Sequence, residues 1–206
     1  MATLLHLDTS PLASSVSREL TREFLTTWKA AHPTGKVIHR DLASAPPKPI
    51  DQAFIHAMFT PDSDLQPEQK ALLAYSDTCI AELEAADEYV IGVAMHNFTI
   101  PSVLKLWIDQ VVRRGRTFSY GADGPQGLLL GKKATVLLAT GGIYDTGTPY
   151  APYNFVEPYL RAIFGFNGVK DVTFVTAGGM SALMSPTVDR GELLAPHLEN
   201  ARSVAV

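Results

Sequence analysis

Five short, largely apolar runs constrain what this chain can fold into: Leu4–Leu7, Lys36–His39, Tyr89–Met95, Ala134–Ala139 and Val172–Thr176. Each is four to seven residues long and is bounded by Gly, Pro, Asp or Ser. Such runs suit strands buried on both faces of a parallel sheet. Between them the apolar spacing changes to threes and fours. Val16, Leu20, Phe24, Thr27, Trp28 and Ala31 form one helical stripe, and Leu72, Ser76, Cys79, Ile80 and Leu83 form a second after Pro67. Leu104, Trp107, Ile108 and Val111 form a third, with Gly115 as a stop and Arg113, Arg114 and Arg116 near the helix's C-terminal end. Strand alternating with helix in this way is the pattern of a right-handed βαβ series and an open, twisted sheet.

Composition narrows the function classes. Apolar residues make up 46% and charged residues 18%, enough for a sizeable core, and residues 1–206 are expected to form a single domain. Seventeen Lys and Arg against twenty-one Asp and Glu leave a net charge of −4, which excludes a generally basic nucleic-acid binder. The lone cysteine, Cys79, can form neither an internal disulfide nor a CxxC pair, and its place on a helical stripe reads as core. The N-terminus lacks the basic and apolar regions of a signal peptide, and no apolar run approaches the roughly 20 residues that span a bilayer. A cytoplasmic protein without membrane association is expected. The Pro-rich stretch Ala43–Gln66 reads as an irregular excursion around a short helix, Asp51–Met58, that shapes a pocket or an interface.

Ligands of open α/β sheets sit beyond the carboxyl ends of the strands, so the loops after the strands carry the functional signal. Asp8–Ser17 places four serines and a threonine around a helix N-terminus, where amides and hydroxyls can cradle an anion without Lys or Arg. The glycine patterns of nucleoside-triphosphate and dinucleotide loops are absent from it. Ala94–Ser102 offers Met95, His96, Asn97 and Phe98, a thioether, polar and aromatic set that suits a flat heteroaromatic ligand. Ala139–Tyr144 contributes paired glycines, Gly141 and Gly142, that allow close backbone approach, with Tyr144 able to bond a ligand edge. No second ligand lies at metal-binding spacing from His96, and no metal is expected.

Taken together, the serine loop, MHNFTIPSVLKLWIDQV, GRTFSYGADGPQGLLLGKK, TGGIY and FGFNGVKDVTFVTAGG resemble the FMN-dependent NADH-azoreductases, kin to the NAD(P)H–quinone reductases. The resemblance covers nearly the whole chain. It implies a flavodoxin-like, doubly wound five-stranded parallel sheet of order 2-1-3-4-5 flanked by helices, with FMN at the first/third strand switch. Carried over, Ser10, Ser15, Val16 and Ser17 would hold the phosphate; Met95, His96, Asn97 and Phe98 would line the isoalloxazine; Thr140, Gly141, Gly142 and Tyr144 would meet its pyrimidine side. Members are homodimers, and Tyr120 and Phe166 match positions that wall the substrate pocket, Phe166 from the partner chain.

The implied activity is two-electron, ping-pong hydride transfer through flavin N5, from NADH or NADPH to a quinone or an azo or nitro aromatic. No side chain need act as a catalytic acid or base; His96 and Tyr144 are candidate proton donors to the acceptor. The chain departs from the family's usual Pro-Met-aromatic-Asn-Phe at Ala94–Phe98, and from Ser-Arg-Gly-Gly at Ala139–Gly142. The missing arginine would have placed a cation near the ring's N1/O2 edge, so the change bears on flavin potential and nicotinamide preference. Two other readings stand beside the reductase: a flavodoxin-like electron carrier, and a flavin-free protein that kept the fold. The remaining conspicuous residues read as structural. Trp28 and Trp107 are packing anchors, His6 is buried in its strand, and His32, His39 and His197 are peripheral. His56 sits in the excursion helix, where it could face the pocket. Gly178-Gly179 reads as a simple turn. The three arginines complement a helix end or, alternatively, steer nicotinamide phosphates. The Arg116–Gly131 and Ala43–Gln66 segments look like walls of a substrate pocket.

Overall fold

The computed structural model describes all 206 residues. The five apolar runs become strands whose ends lie within two residues of the sequence expectation: β1 (Thr3–Asp8), β2 (Lys36–Asp41), β3 (Glu88–Ala94), β6 (Lys133–Ala139) and β7 (Asp171–Ala177). They form one parallel sheet in the order β2-β1-β3-β6-β7, the expected 2-1-3-4-5. A short antiparallel hairpin, β4 (Phe118–Gly121) and β5 (Gly124–Gly127), lies outside it.

Each face of the sheet buries its own apolar layer. Leu4, Val90, Leu137 and Val175 pack with Val16, Leu20, Phe24 and Trp28 of α1 (Val16–Ala31) and with Leu194 and Ala201 of α6 (Arg190–Ser203). On the other face Leu5, Leu7, Ile91 and Val136 meet α3 (Pro67–Ala85), α4 (Ser102–Val111) and α5 (Val156–Phe166). Cys79 and both tryptophans are buried, as their stripes require. Two stripe positions differ. Ala31 is exposed at the end of α1, and in α3 the buried residue is Leu73 while Leu72 faces out. Leu73 packs instead with Phe54 and Ala57 of α2 (Gln52–Phe59), the excursion's helix, whose N-cap Asp51 accepts from the Phe54 amide at 2.8 Å.

The excursion lies along α3 and borders none of the cavities that the loops after β3 and β6 line. It does wall a groove of about 310 Å³ against α3 through Pro46, Pro47, Lys48, Pro49 and Phe54, and its Ala43 and Ser44 border the groove beside the loop after β1; His56 is exposed on its helix. The 116–131 segment holds the hairpin, and it too is far from those loops. Leu129 donates its amide to the Asn167 carbonyl, just past α5, and the neighbouring Lys132 bonds the carbonyls of Glu84 and Ala86, at the end of α3. These partners all lie at the amino ends of the strands. The three arginines act there as well: Arg113 pairs with Asp77 at 2.6 Å, Arg116 reaches Asp77 and Glu84, and Arg114 lies over the Tyr120 ring. Arg113 and Arg116 tie the end of α4 to α3, and Arg114 packs on the hairpin.

The hairpin's seat tolerates no side chain. A Cβ on Gly127 would lie 2.1 Å from the Gly168 nitrogen and 2.2 Å from the Asn167 carbonyl carbon, both backbone atoms. Gly127→Ala is expected to lower stability by about 1–3 kcal/mol, the usual penalty of overpacking, in urea unfolding; an unchanged midpoint would show that the hairpin is not seated as described.

Candidate functional site

Because the sheet is parallel, the loops after β1, β3 and β6 share one end of it. In each, carbonyls are bonded within the protein while several amides find no acceptor in the chain. In the first loop the Ser10 carbonyl accepts from Arg18 Nε and Nη2 at 3.0 and 2.7 Å, and the Ser14 carbonyl accepts from Arg190 Nη2 at 2.8 Å. Ser15 caps α1, its Oγ accepting from the Arg18 amide at 3.3 Å and lying 3.2 Å from Ser17 Oγ. The amides of Val16 and Ser17 in the first helical turn find no acceptor in the chain. Free first-turn amides at the positive end of a sixteen-residue helix are groups that can accept an anion.

Arg18 does more than hold Ser10. Its guanidinium also bonds Asp8 at 3.1 Å and both Asp41 oxygens at 2.9 and 2.8 Å. Burial opposes ionisation of Asp8, but the surrounding His6, Arg18 and His39 outweigh that penalty and hold its carboxyl at about 2. The positive charge next to the serine loop is thus neutralised by two carboxylates, and the loop presents amides rather than side-chain cations.

In the second loop His96 and Thr99 exchange backbone hydrogen bonds of 2.9 and 3.0 Å, closing a tight turn. The two central residues take left-handed conformations, Asn97 at φ 48° and Phe98 at φ 71°. Asn tolerates that region, whereas a bulky aromatic residue is strained in it. The Phe98 carbonyl is tied to the Phe155 amide, while the amides of Asn97 and Phe98 are free. The Phe98 ring is 44% exposed and heads an aromatic group with Tyr144, Tyr150 and Tyr153. Met95 is half-buried against the core, and His96 is exposed beside a cleft of about 480 Å³ that it shares with Asn97, Lys105 and Tyr159.

The third loop is clamped by the segment after β7. The carbonyls of Thr140, Gly141 and Gly142 accept from the amides of Met180, Ser181 and Gly179 at 3.0–3.1 Å. Gly178-Gly179, read from sequence as a simple turn, is therefore the start of this clamp, with Gly179 at φ 76°. Thr140 is buried and its polar groups are all tied within the chain, its Oγ1 donating to the Gly142 carbonyl at 2.8 Å. Thr140 shapes the loop, and the amides of Gly141 and Gly142 find no acceptor in the chain. Tyr144 folds back over Gly142, where a Cβ would lie 3.3 Å from the tyrosine ring.

Tyr120 and Phe166 do not join these loops. Both pack around Phe118, at centroid distances of 5.6 and 4.7 Å, at the opposite end of the sheet. Sequence reasoning also missed Arg18, Arg190 and the 179–181 amides, whose roles depend on contacts across long stretches of chain. Finally, His39 is not simply peripheral: it stacks on His6 and lies 3.1 Å from Asp8.

The chain belongs to the flavodoxin-like fold family, which it matches over residues 2–197. Its relatives are redox enzymes. An FMN-dependent NADH:quinone oxidoreductase of Acidobacterium capsulatum is 60% identical over 205 residues, covering 100% of both chains. One from Burkholderia lata is 44% identical over 205 residues, covering 99% of each. An FMN-dependent NADH-azoreductase of Bacillus anthracis, solved in complex with FMN, superposes with a TM-score of 0.88 at 27% identity, over 100% of this chain and 98% of that one. No helix is long and apolar enough to cross a membrane.

The strained turn gives a direct test. Deleting a buried Phe side chain costs about 3–5 kcal/mol, but the half-exposed Phe98 ring contributes far less and its backbone stores about 1–3 kcal/mol of strain. Phe98→Gly is expected to stay within about 1 kcal/mol of the parent in chemical denaturation; a loss typical of core truncation would contradict the strain.

Proposed function

We propose that this chain is an FMN-dependent NAD(P)H oxidoreductase, one flavodoxin-like unit over residues 1–206, that passes two electrons to quinones or to azo and nitro aromatics. The observation that carries the reading is the set of unpartnered amides on three neighbouring loops, together with relatives named for FMN and NADH. The fit to FMN is chemical. The Val16 and Ser17 amides with the hydroxyls of Ser10, Ser15 and Ser17 suit a phosphate. The Gly141 and Gly142 amides suit the acceptor atoms of the pyrimidine edge, with Tyr144 beside them. Met95, His96, Asn97 and Phe98 supply the flank of the ring. FMN, when bound, supplies hydride acceptance and donation at N5.

The protein's own groups bind and orient. Clamped loops meet the ligand without reorganising, which is how preorganised dipoles act on developing charge. Thr140 stands where the family resemblance implies an arginine and brings no charge, so the amides of Gly141 and Gly142 are left to meet the pyrimidine edge. His96 and Tyr144, which line different clefts, are the candidate proton donors to the acceptor. The exposed aromatic group at 98, 144, 150 and 153 favours a flat organic acceptor over a docking protein, which supports a reductase rather than an electron carrier.

The site of one chain is open. The 96–105 cleft and the 144–161 cleft, about 480 and 520 Å³, are separate, and neither has an aromatic lid. Tyr120, Leu128, Leu130 and Phe166 are exposed at the far end of the same chain. A homodimer that brings the partner's Tyr120 and Phe166 over each flavin would bury those side chains and complete both sites. A cytoplasmic setting fits one buried free cysteine and a nicotinamide co-substrate.

Ser15→Asp tests the phosphate cradle cleanly, because Asp is as good an N-cap as Ser but sets a negative charge against the phosphate. We expect FMN affinity to fall on the order of 100-fold, with riboflavin affinity and thermal stability nearly unchanged. Equal losses for FMN and riboflavin would move the phosphate elsewhere. Anaerobic stopped-flow should show NADH bleaching the bound flavin before a quinone restores its colour. A protein that stays colourless with FMN present would refute the assignment. For the dimer, Phe166→Ser is expected to raise the quinone KM several-fold while FMN affinity holds; a monomer in sedimentation with full activity would contradict it.

A further inference from the structure

The two clefts that flank the ring-lining loops differ in charge. The 144–161 cleft holds Asp145, Glu157 and Arg161; Arg161 pairs with Glu157 at 2.7 Å, so Asp145 leaves the cleft negative. The 96–105 cleft, about 480 Å³, has no carboxylate in its lining. It begins at His96 and Asn97, where the flavin reading sets the ring, and continues past Thr99 and Ser102 to Lys105 of α4 and Tyr159 of α5.

The polar side chains of this second cleft are unengaged. The His96 ring, the Asn97 amide and the hydroxyls of Thr99, Ser102 and Tyr159 make no hydrogen bond within the chain, and none is sealed from solvent. Burial pushes the Tyr159 hydroxyl above the ordinary phenol range although Lys105 is near, so it stays protonated and can donate. Lys105 supplies the charge. Its half-exposed ammonium pairs with Asp109 at 2.5 Å, which occupies one of three N–H groups and leaves two. An exposed pair of this kind is weak and is readily shared with a second anion.

The reductant of the proposed reaction always brings such an anion. NADH and NADPH both carry a diphosphate one ribose away from the nicotinamide. With the nicotinamide on the flavin, that diphosphate lies beside the ring, level with the flanking clefts. Asp145 repels it from one of them. In the other, an ammonium and several free donors converge with no carboxylate in the lining, and hydrogen bonds from such donors to phosphate oxygens are charge-assisted.

We infer that the 96–105 cleft binds the diphosphate of the nicotinamide co-substrate, with Lys105 as its charged partner and the Ser102 and Tyr159 hydroxyls as donors; the inference rests on the reductase reading above. Anaerobic stopped-flow on the flavin-loaded protein tests it by comparing NADH with N-benzyl-dihydronicotinamide, a hydride donor with the same ring and no phosphate. Lys105→Gln should raise the NADH concentration that half-saturates flavin bleaching about 10-fold. Bleaching by the benzyl donor, and reoxidation by a neutral quinone, should be unchanged. Added salt should weaken NADH saturation in the parent and do so less in Lys105→Gln. Asp109→Asn breaks the same ion pair but keeps the ammonium, so it should bind NADH at least as tightly as the parent. A loss in Asp109→Asn equal to that in Lys105→Gln would make the pair structural and overturn the inference. Unchanged NADH saturation in Lys105→Gln, or equal losses for both donors, would also overturn it and leave the reductase reading standing, because the benzyl donor still bleaches the parent. If neither donor bleaches the parent's flavin, the reductase reading fails and this inference fails with it.

Discussion

Three loops at one end of the sheet have their carbonyls tied down and their amides left over, and the rest of the structure serves that imbalance. A buried or half-buried backbone group without a partner is unfavourable, by about 1–3 kcal/mol, so a protein rarely leaves several together. Here the carbonyls are satisfied by Arg18, Arg190, Phe155 and the 179–181 amides. The matching amides at Val16, Ser17, Asn97, Phe98, Gly141 and Gly142 are not. The result is a directional, positive surface on a chain of net charge −4. An acidic protein can therefore hold a phosphate and an electron-rich ring edge without placing a single unbalanced side-chain cation next to them.

That arrangement depends on a tight charge network below it. Arg18 joins the end of β1, the end of β2 and the Ser10 carbonyl at once, and Asp8 stays ionised because of the groups around it. Using the arginine as a tether rather than as a ligand contact leaves the cradle's potential to the helix and the backbone, which do not move. The same network holds the stacked pair His6 and His39, so one carboxylate, Asp8, ties the serine loop's arginine to both histidines.

Much of this was legible in the sequence, and the divide is physical. Periodicity is local, so the strands, the stripes of α1 and α4 and the N-terminal Pro67 of α3 could be read directly. The anion loop could be read too, because serine density at a helix start is a local signal. Contacts across long chain separations could not: Arg190 reaches Ser14, and Met180 reaches Thr140, only because the sheet folds. His39 looked peripheral until β-register placed it opposite His6. In α3 the stripe through Leu72 shifted to Leu73 because the excursion helix, not the sheet, packs on that turn. The hairpin was missed because its strands, FSYG and GPQG, lack any apolar alternation and are held by the close backbone approach at Gly127.

The central claim is that backbone amides of three loops are the flavin's principal polar partners. Amide proton and nitrogen chemical shifts of the isotopically labelled chain, recorded without and with stoichiometric FMN, test it most directly. Hydrogen bonding to the phosphate and to the ring edge should move Val16, Ser17, Gly141 and Gly142 strongly downfield, with Asn97 and Phe98 shifted by the ring, and should leave the 43–66 excursion unchanged. Large shifts confined to other segments, with those six amides still, would contradict the account.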